Sequence, residues 1–361
     1  MKLLGQCIAL AGLLSLVGCV MDEQFKFPST SVPENLGDGW SIASPESAGV
    51  SADSLSRIYG RLFDEEQYYN ALGLLIAADG SLIYETYVRT PGDRDRLHHV
   101  MSCTKSFTSL AFGIALSKGD IDSVNQTLYS IFPDNFPSDP AKRLITLHHL
   151  LTMQSGLRVD NSVFSLEMYV DKPSDPLRHI LDKPLYAQPG DSMYYRDADP
   201  QLVSYVVQRL SGMTQENLLK ENLFAPLGIR DYYWEPLHDG TTSGAHSLYM
   251  RPRDMLRVGQ MLLDHGRFGG AQIIDSSWIA ESTRPQVQNE WEGIIWEYGY
   301  YWWVLPEYGA FTAAGHGGQF ILVVPHQRMV VVMISMPDAS DSVGTSLKRF
   351  IELIRPILKK V

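Results

Sequence analysis

Three cysteines in 361 residues are too few for a disulfide framework. Cys7 and Cys19 sit in or at the end of an N-terminal apolar segment, which leaves Cys103 with no internal partner. Basic residues are also scarce: the formal net charge is −11, and no Lys/Arg run makes a phosphate footprint, so no nucleic-acid partner is expected. The apolar segment from Leu3 to Val17 is too short to span a bilayer well. Several catalytic signatures are missing. The chain has no Gly-x-Ser-x-Gly elbow, no His-Glu-x-x-His, no phosphate-binding glycine loop and no Cys-x-x-Cys. Its paired histidines, His98-His99 and His148-His149, diverge as neighbours on a helix or strand and make poor metal sites. No metal or organic cofactor is expected.

What is present begins with an export signal. Lys2 supplies a short positive region, and the apolar segment ends in Leu16-Val17-Gly18-Cys19, which resembles a bacterial lipobox. Residues 1–18 are then a signal peptide, and Cys19 is the lipidated first residue of the mature chain. Residues 19–40, with Pro28 and Pro33, read as a tether. This predicts a protein exported across the inner membrane and held on a membrane by its lipid. Val20 rather than Asp after the cysteine favours the outer membrane, facing the periplasm.

Hydrophobic content of 45% suits a globular chain, and 361 residues are enough for one large core or two coupled lobes. Ser51 is a plausible cap for a helix carrying Leu55, Ile58 and Leu62. Leu72 to Ala78, Asp79-Gly80 and Leu82 to Tyr87 read as a hairpin. Helical patterns dominate from Asp120 to His246. Strand-like runs return at Tyr298 to Leu305, Phe320 to Val324 and Met329 to Ile334, before an amphipathic helix over Ser346 to Leu358. The expected fold is α+β: one antiparallel sheet of five or more strands built from residues 41–119 and 247–361, with packed helices and an inserted all-helical lobe over 120–246.

The chemistry centres on Ser102-Cys103-Thr104-Lys105 at the start of a helix. Ser102 and Lys105 lie on one face of its first turn, where an amine can take a proton from an attacking hydroxyl. A chain with this Ser and Lys content contains Ser-x-x-Lys about once by chance. The company it keeps matters more. Tyr195-Arg196-Asp197, His316-Gly317-Gly318 and Leu150 to Leu157 supply it. With Ser102-x-x-Lys105, they resemble the motifs of the serine beta-lactamase and penicillin-binding-protein superfamily. The wording is nearest to the branch of aminohexanoate-oligomer hydrolases and esterases.

That resemblance implies a beta-lactamase/transpeptidase-like fold and an acyl-enzyme mechanism. Ser102 would be the nucleophile, Lys105 the base and Tyr195 the proton relay. The backbone N–H groups of Ser102 and Gln319 would form the oxyanion hole. Burial and the positive end of the helix are expected to lower the proton affinity of Lys105. Asp197, His316, Gly317 and Gly318 would shape substrate recognition. Where the family's second motif has Asn this chain has Asp197, and where lactamases carry Lys-Thr-Gly it has His316-Gly317-Gly318. His316 is a weaker anchor for a substrate carboxylate than lysine, which points to small-molecule ester or amide substrates. A D,D-peptidase or beta-lactamase is the rival enzyme reading, and a non-catalytic sensor or binding lipoprotein is the rival outside enzymes. Aromatic residues from Trp291 to Trp303 are expected mainly in the core, with one or two facing a cleft. Cys103 is expected to be buried packing.

Overall fold

The computed structural model describes residues 33–291, 294–337 and 342–361. Its centre is a nine-stranded sheet made of β1 (Ser41–Ile42), β2 (Ala71–Ala78), β3 (Ser81–Tyr87), β4 (Val287–Trp291), β5 (Ile294–Tyr298), β6 (Trp303–Leu305), β7 (Ala310–Gly315), β8 (Gln319–Val324) and β9 (Met329–Ser335). The spatial order is β1-β3-β2-β9-β8-β7-β6-β5-β4. β1 runs parallel to β3, and every other neighbouring pair is antiparallel. Early and late strands therefore meet where β2 pairs with β9. Those strands and β8 are buried along their whole length, so they read as continuous apolar runs rather than alternating ones. Asp79 and Gly80, both at positive φ, make the tight turn between β2 and β3.

Helices cover both faces of the sheet. On one face lie α1 (Ala52–Asp64) and the C-terminal helix Val343–Ile354. Phe350 of the latter stacks on Phe320 of β8, with ring centroids 4.4 Å apart. Ser51 caps α1 by accepting the N–H of Ser54 at 3.1 Å. On the other face lie α2 (Cys103–Ser117) and α5 (Pro252–Leu263), while α3 (Leu147–Leu151) packs on α4 (Ala198–Ser211), which in turn packs on α2. Gly259 of α5 lets that helix sit against Ile321 and Val330; a Cβ there would lie 2.3 Å from Val330. Phe320 and Ile321 are adjacent in β8 and serve opposite layers, as the two-residue period of a strand requires.

Helix α2 is the inner helix, with every residue from Cys103 to Ala115 buried. Its hydroxyls are spent on neighbouring backbone: Ser106 donates to the Tyr301 carbonyl at 2.7 Å and Thr108 to the Gly244 carbonyl at 2.7 Å. A buried helix tied to its neighbours in this way is a rigid base for what stands at its end, although Ser109 Oγ is buried there without a partner among the described residues.

Some expected boundaries differ. The run Tyr298 to Leu305 is two strands, because Tyr301 takes φ 66° and turns the chain. Within the segment expected to be all-helical, Tyr232–Trp234 is a strand and pairs with Leu248–Met250 in a small sheet that also holds His98–His99. Cys19 and the signal segment lie outside the described residues. Of the expected tether, residues 33–40 are described, and they belong to the fold: Trp40 is buried and Asp38 pairs with Arg253 at 3.0 Å. Among the described residues no helix is long and apolar enough to cross a membrane.

Candidate active site

Ser102 occupies the N-cap position of α2, and Met101 before it is held at φ 52°. A non-glycine residue in the left-handed region is strained, and such strain gathers where surrounding structure must hold an unusual turn. One helical turn on, the Lys105 side chain is 1% exposed. Its ammonium contacts Ser102 Oγ at 2.8 Å, the Ala245 carbonyl at 3.1 Å and Asp197 Oδ1 at 2.7 Å. Tyr195 completes the group. Its ring lies 4.9 Å from Lys105 Nζ, and its hydroxyl shares side-chain hydrogen bonds with Ser102 and Lys105.

The expected fall in the proton affinity of Lys105 does not hold. Burial does push it down, but the Asp197 carboxylate and the Tyr195 phenol outweigh this and hold the ammonium above its ordinary range. Burial raises Tyr195 as well, against the pull of Lys105. Both shifts favour the protonated amine and the protonated phenol.

Tyr195 and Asp197 lie just before α4, and a buried clamp fixes them. Arg196, fully buried, donates to Ser155 Oγ at 2.9 Å and to the Leu157 carbonyl at 2.6 Å. Ser155 in turn donates to Asp199 Oδ1 at 2.6 Å. The N–H of Asp197 is held by Asn161 Oδ1 at 2.8 Å. The segment Leu150 to Leu157 therefore serves the site at one remove, because its Ser155 and Leu157 grip the residues that follow the tyrosine. Gly156 at φ 76° is needed there, since a Cβ would lie 2.3 Å from the Ala187 carbonyl.

Several groups were not anticipated from sequence. His246 follows the Ala245 carbonyl that Lys105 contacts; its Nδ1 is 2.7 Å from Ser247 Oγ, and its ring lies against Tyr169 at 5.1 Å. Burial lowers its proton affinity, with Asp197 opposing and Lys105 adding to the fall. A lone histidine far along the chain gives no sequence signal. Asn161 likewise sits in no motif, whereas Ser155 could have been found inside the Leu150–Leu157 signature.

The third motif lies between two strands of the sheet. His316, Gly317 and Gly318 form the turn between β7 and β8, with Gly318 donating to the Gly315 carbonyl at 3.2 Å. Gln319 is fully buried in β8, and its carboxamide is tied to the Ser335 backbone at 2.6 and 3.2 Å. The strand with an open edge is β7. Pairing of β6 with β7 ends at Trp303 opposite Thr312, so Ala313, Ala314 and Gly315 have no strand partner on that side among the described residues. Gly315 also approaches the turn before Ser102, where a Cβ would lie 2.4 Å from the Val100 carbonyl. Of the aromatic cluster, Tyr298 and Trp303 pack on Tyr195, with centroids 6.2 and 5.7 Å away. Cys103 is buried beside the site, its Sγ donating to the Gln319 carbonyl at 3.3 Å, and burial pushes the thiol up.

The beta-lactamase family model matches residues 61–354. The chain belongs to the beta-lactamase family. This family comprises hydrolases, and the relatives span several activities. A curated "Putative D-alanyl-D-alanine carboxypeptidase" of Salmonella enteritidis is 21% identical over 81% of this chain and 85% of its own. A solved "Putative 6-aminohexanoate-dimer hydrolase" from Bacillus anthracis matches with a TM-score of 0.67 at 21% identity, covering 79% of each chain. EstCE1, described as a hydrolase with promiscuous acyltransferase activity, matches at 0.66 and 18%, covering 84% of this chain and 98% of its own. At these identities the solved structures establish the shared fold of this beta-lactamase-family hydrolase.

Proposed function

We propose that this protein is a serine hydrolase that cleaves carboxylic esters or amides through an acyl-enzyme. The carrying observation is the 2.8 Å contact between Ser102 Oγ and the buried Lys105 amine, with the Tyr195 hydroxyl bonded to both. Ser102 Oγ attacks the acyl carbon, and its proton passes to Lys105 once that amine is neutral. Tyr195 hands a proton to the departing alkoxide or amine. Water then attacks the acyl-enzyme by the reverse path. The developing oxyanion is assigned to the Ser102 N–H and to an N–H on the open Ala313–Gly315 edge of β7, in place of Gln319. That edge reads Thr312-Ala313-Ala314-Gly315 and carries no cation to hold a substrate carboxylate. This favours neutral acyl substrates, with Tyr298 and Trp303 offering an aromatic wall beside Tyr195.

A second reading, D,D-carboxypeptidase, draws on the name of the curated relatives. Ser102→Ala is expected to abolish nitrophenyl-ester turnover with the melting temperature nearly unchanged; surviving turnover would sink the mechanism. Running the wild type on a D-Ala-D-Ala peptide beside graded acyl esters decides between the readings, with the esters expected to be preferred.

A further inference from the structure

We propose that Asp197 keeps Lys105 in its ammonium form in the resting enzyme, so that the site must release a proton before Ser102 can be activated, and that Asp197 thereby sets the pH above which the enzyme works. The inference rests on the serine-hydrolase reading above and extends it. The Lys105 ammonium is fully engaged by Ser102 Oγ, the Ala245 carbonyl and Asp197 Oδ1, with the Tyr195 hydroxyl as a further partner. A nitrogen so engaged has no lone pair facing Ser102. Asp197 is the acceptor that carries charge, at 2.7 Å, with its side chain 11% exposed and Lys105 at 1%. In so dry a pair the attraction is screened little.

The other groups around the amine do not supply this charge. From its own helix, Ser102 is neutral and the Cys103 thiol is pushed up by burial, so it remains a thiol. From the segment before α4, the Tyr195 phenol is held protonated by burial. From the segment before the small sheet come the Ala245 carbonyl and His246, whose imidazole is kept neutral by burial, with Asp197 pulling the other way and Lys105 reinforcing it. Beyond Tyr195, Tyr298 of β5 is a buried neutral phenol. Burial is already the largest single influence on the ammonium; take away the Asp197 charge, and only Tyr195 is left to oppose it.

Activation starts when the ammonium releases one proton to solvent, giving a neutral amine beside the Asp197 carboxylate. That amine takes the Ser102 hydroxyl proton as the Oγ–acyl bond forms, and the proton leaves through Tyr195 with the alcohol or amine product. Asp197 neither gains nor loses a proton. It acts through Lys105 and is a positioning residue.

The test is Asp197→Asn, with kcat/KM for a neutral nitrophenyl ester measured across pH. The acidic limb is expected to move to lower pH by at least about one unit, a gain of about tenfold or more on the acid side. An unmoved limb, a limb moved to higher pH, or loss of activity at every pH in a folded variant would each overturn the proposal. Should the variant not fold, the wild type still decides: fluorophosphonate labelling of Ser102 is expected to rise with a midpoint alkaline of neutrality, and a midpoint at or below neutrality overturns it. Labelling that persists in Ser102→Ala counts against the serine-hydrolase reading itself. Labelling lost in that variant, with an unmoved limb in Asp197→Asn, counts against Asp197 alone.

Discussion

At the scale of single residues, the site depends on side chains that never meet the substrate. Ser155 shows this best. Its hydroxyl accepts from Arg196 and donates to Asp199, both with no solvent exposure, and Asp199 also accepts the Ser155 N–H at 3.3 Å. Arg196 lies over the rings of Tyr186 and Tyr194, with centroids 5.1 and 5.3 Å from its guanidinium. Ser155→Ala leaves a guanidinium and a carboxylate short of a partner in a dry interior. That is expected to cost about 1–3 kcal/mol, read from urea unfolding. It should also lower kcat more than KM, because the clamp sets the position of Tyr195. Wild-type stability and rate in this variant would show that the tyrosine is positioned without the clamp.

At the scale of elements, the site is assembled where three meet: the start of α2, the segment entering α4 and the open edge of β7. Their spacing is close enough that backbone, not only side chains, makes the joints. Gly244 lies where a Cβ would be 2.2 Å from the Pro200 carbonyl of α4, and its own carbonyl receives the Thr108 hydroxyl of α2. Gly244→Ala must push α4 away from the segment that carries Ala245, the backbone contact of Lys105. Overpacking of this kind is expected to cost about 1–3 kcal/mol, with a fall in esterase rate that exceeds any change at distant surface glycines such as Gly212. Differential scanning calorimetry with parallel ester assays checks both parts. A neutral outcome would mean that the junction is softer than its geometry implies.

At the scale of the molecule, one continuous core joins sheet and helical regions: Ile321 and Val330 of the sheet, Phe107 of α2, and Leu202 and Val206 of α4 belong to the same buried cluster. Unfolding followed by far-ultraviolet dichroism and by tryptophan fluorescence should therefore coincide; two separated transitions would show that the lobes are independent. Much of this molecule was legible in its residues. The Asp79-Gly80 hairpin, the apolar runs of β8 and β9, and the Ser102–Lys105 pairing on a first helical turn are local patterns, fixed by period and turn chemistry over a few positions. What sequence could not decide involved partners far along the chain. It expected burial to lower the proton affinity of Lys105, but the opposing charge stands 92 positions away on Asp197, and only folding sets it at 2.7 Å. It offered the Gln319 N–H as an oxyanion donor, whereas the open edge of β7 is visible only once strand pairing is known. Local order follows from neighbours in the chain, but charge balance and strand edges depend on which distant segments come together, and tertiary packing alone decides that.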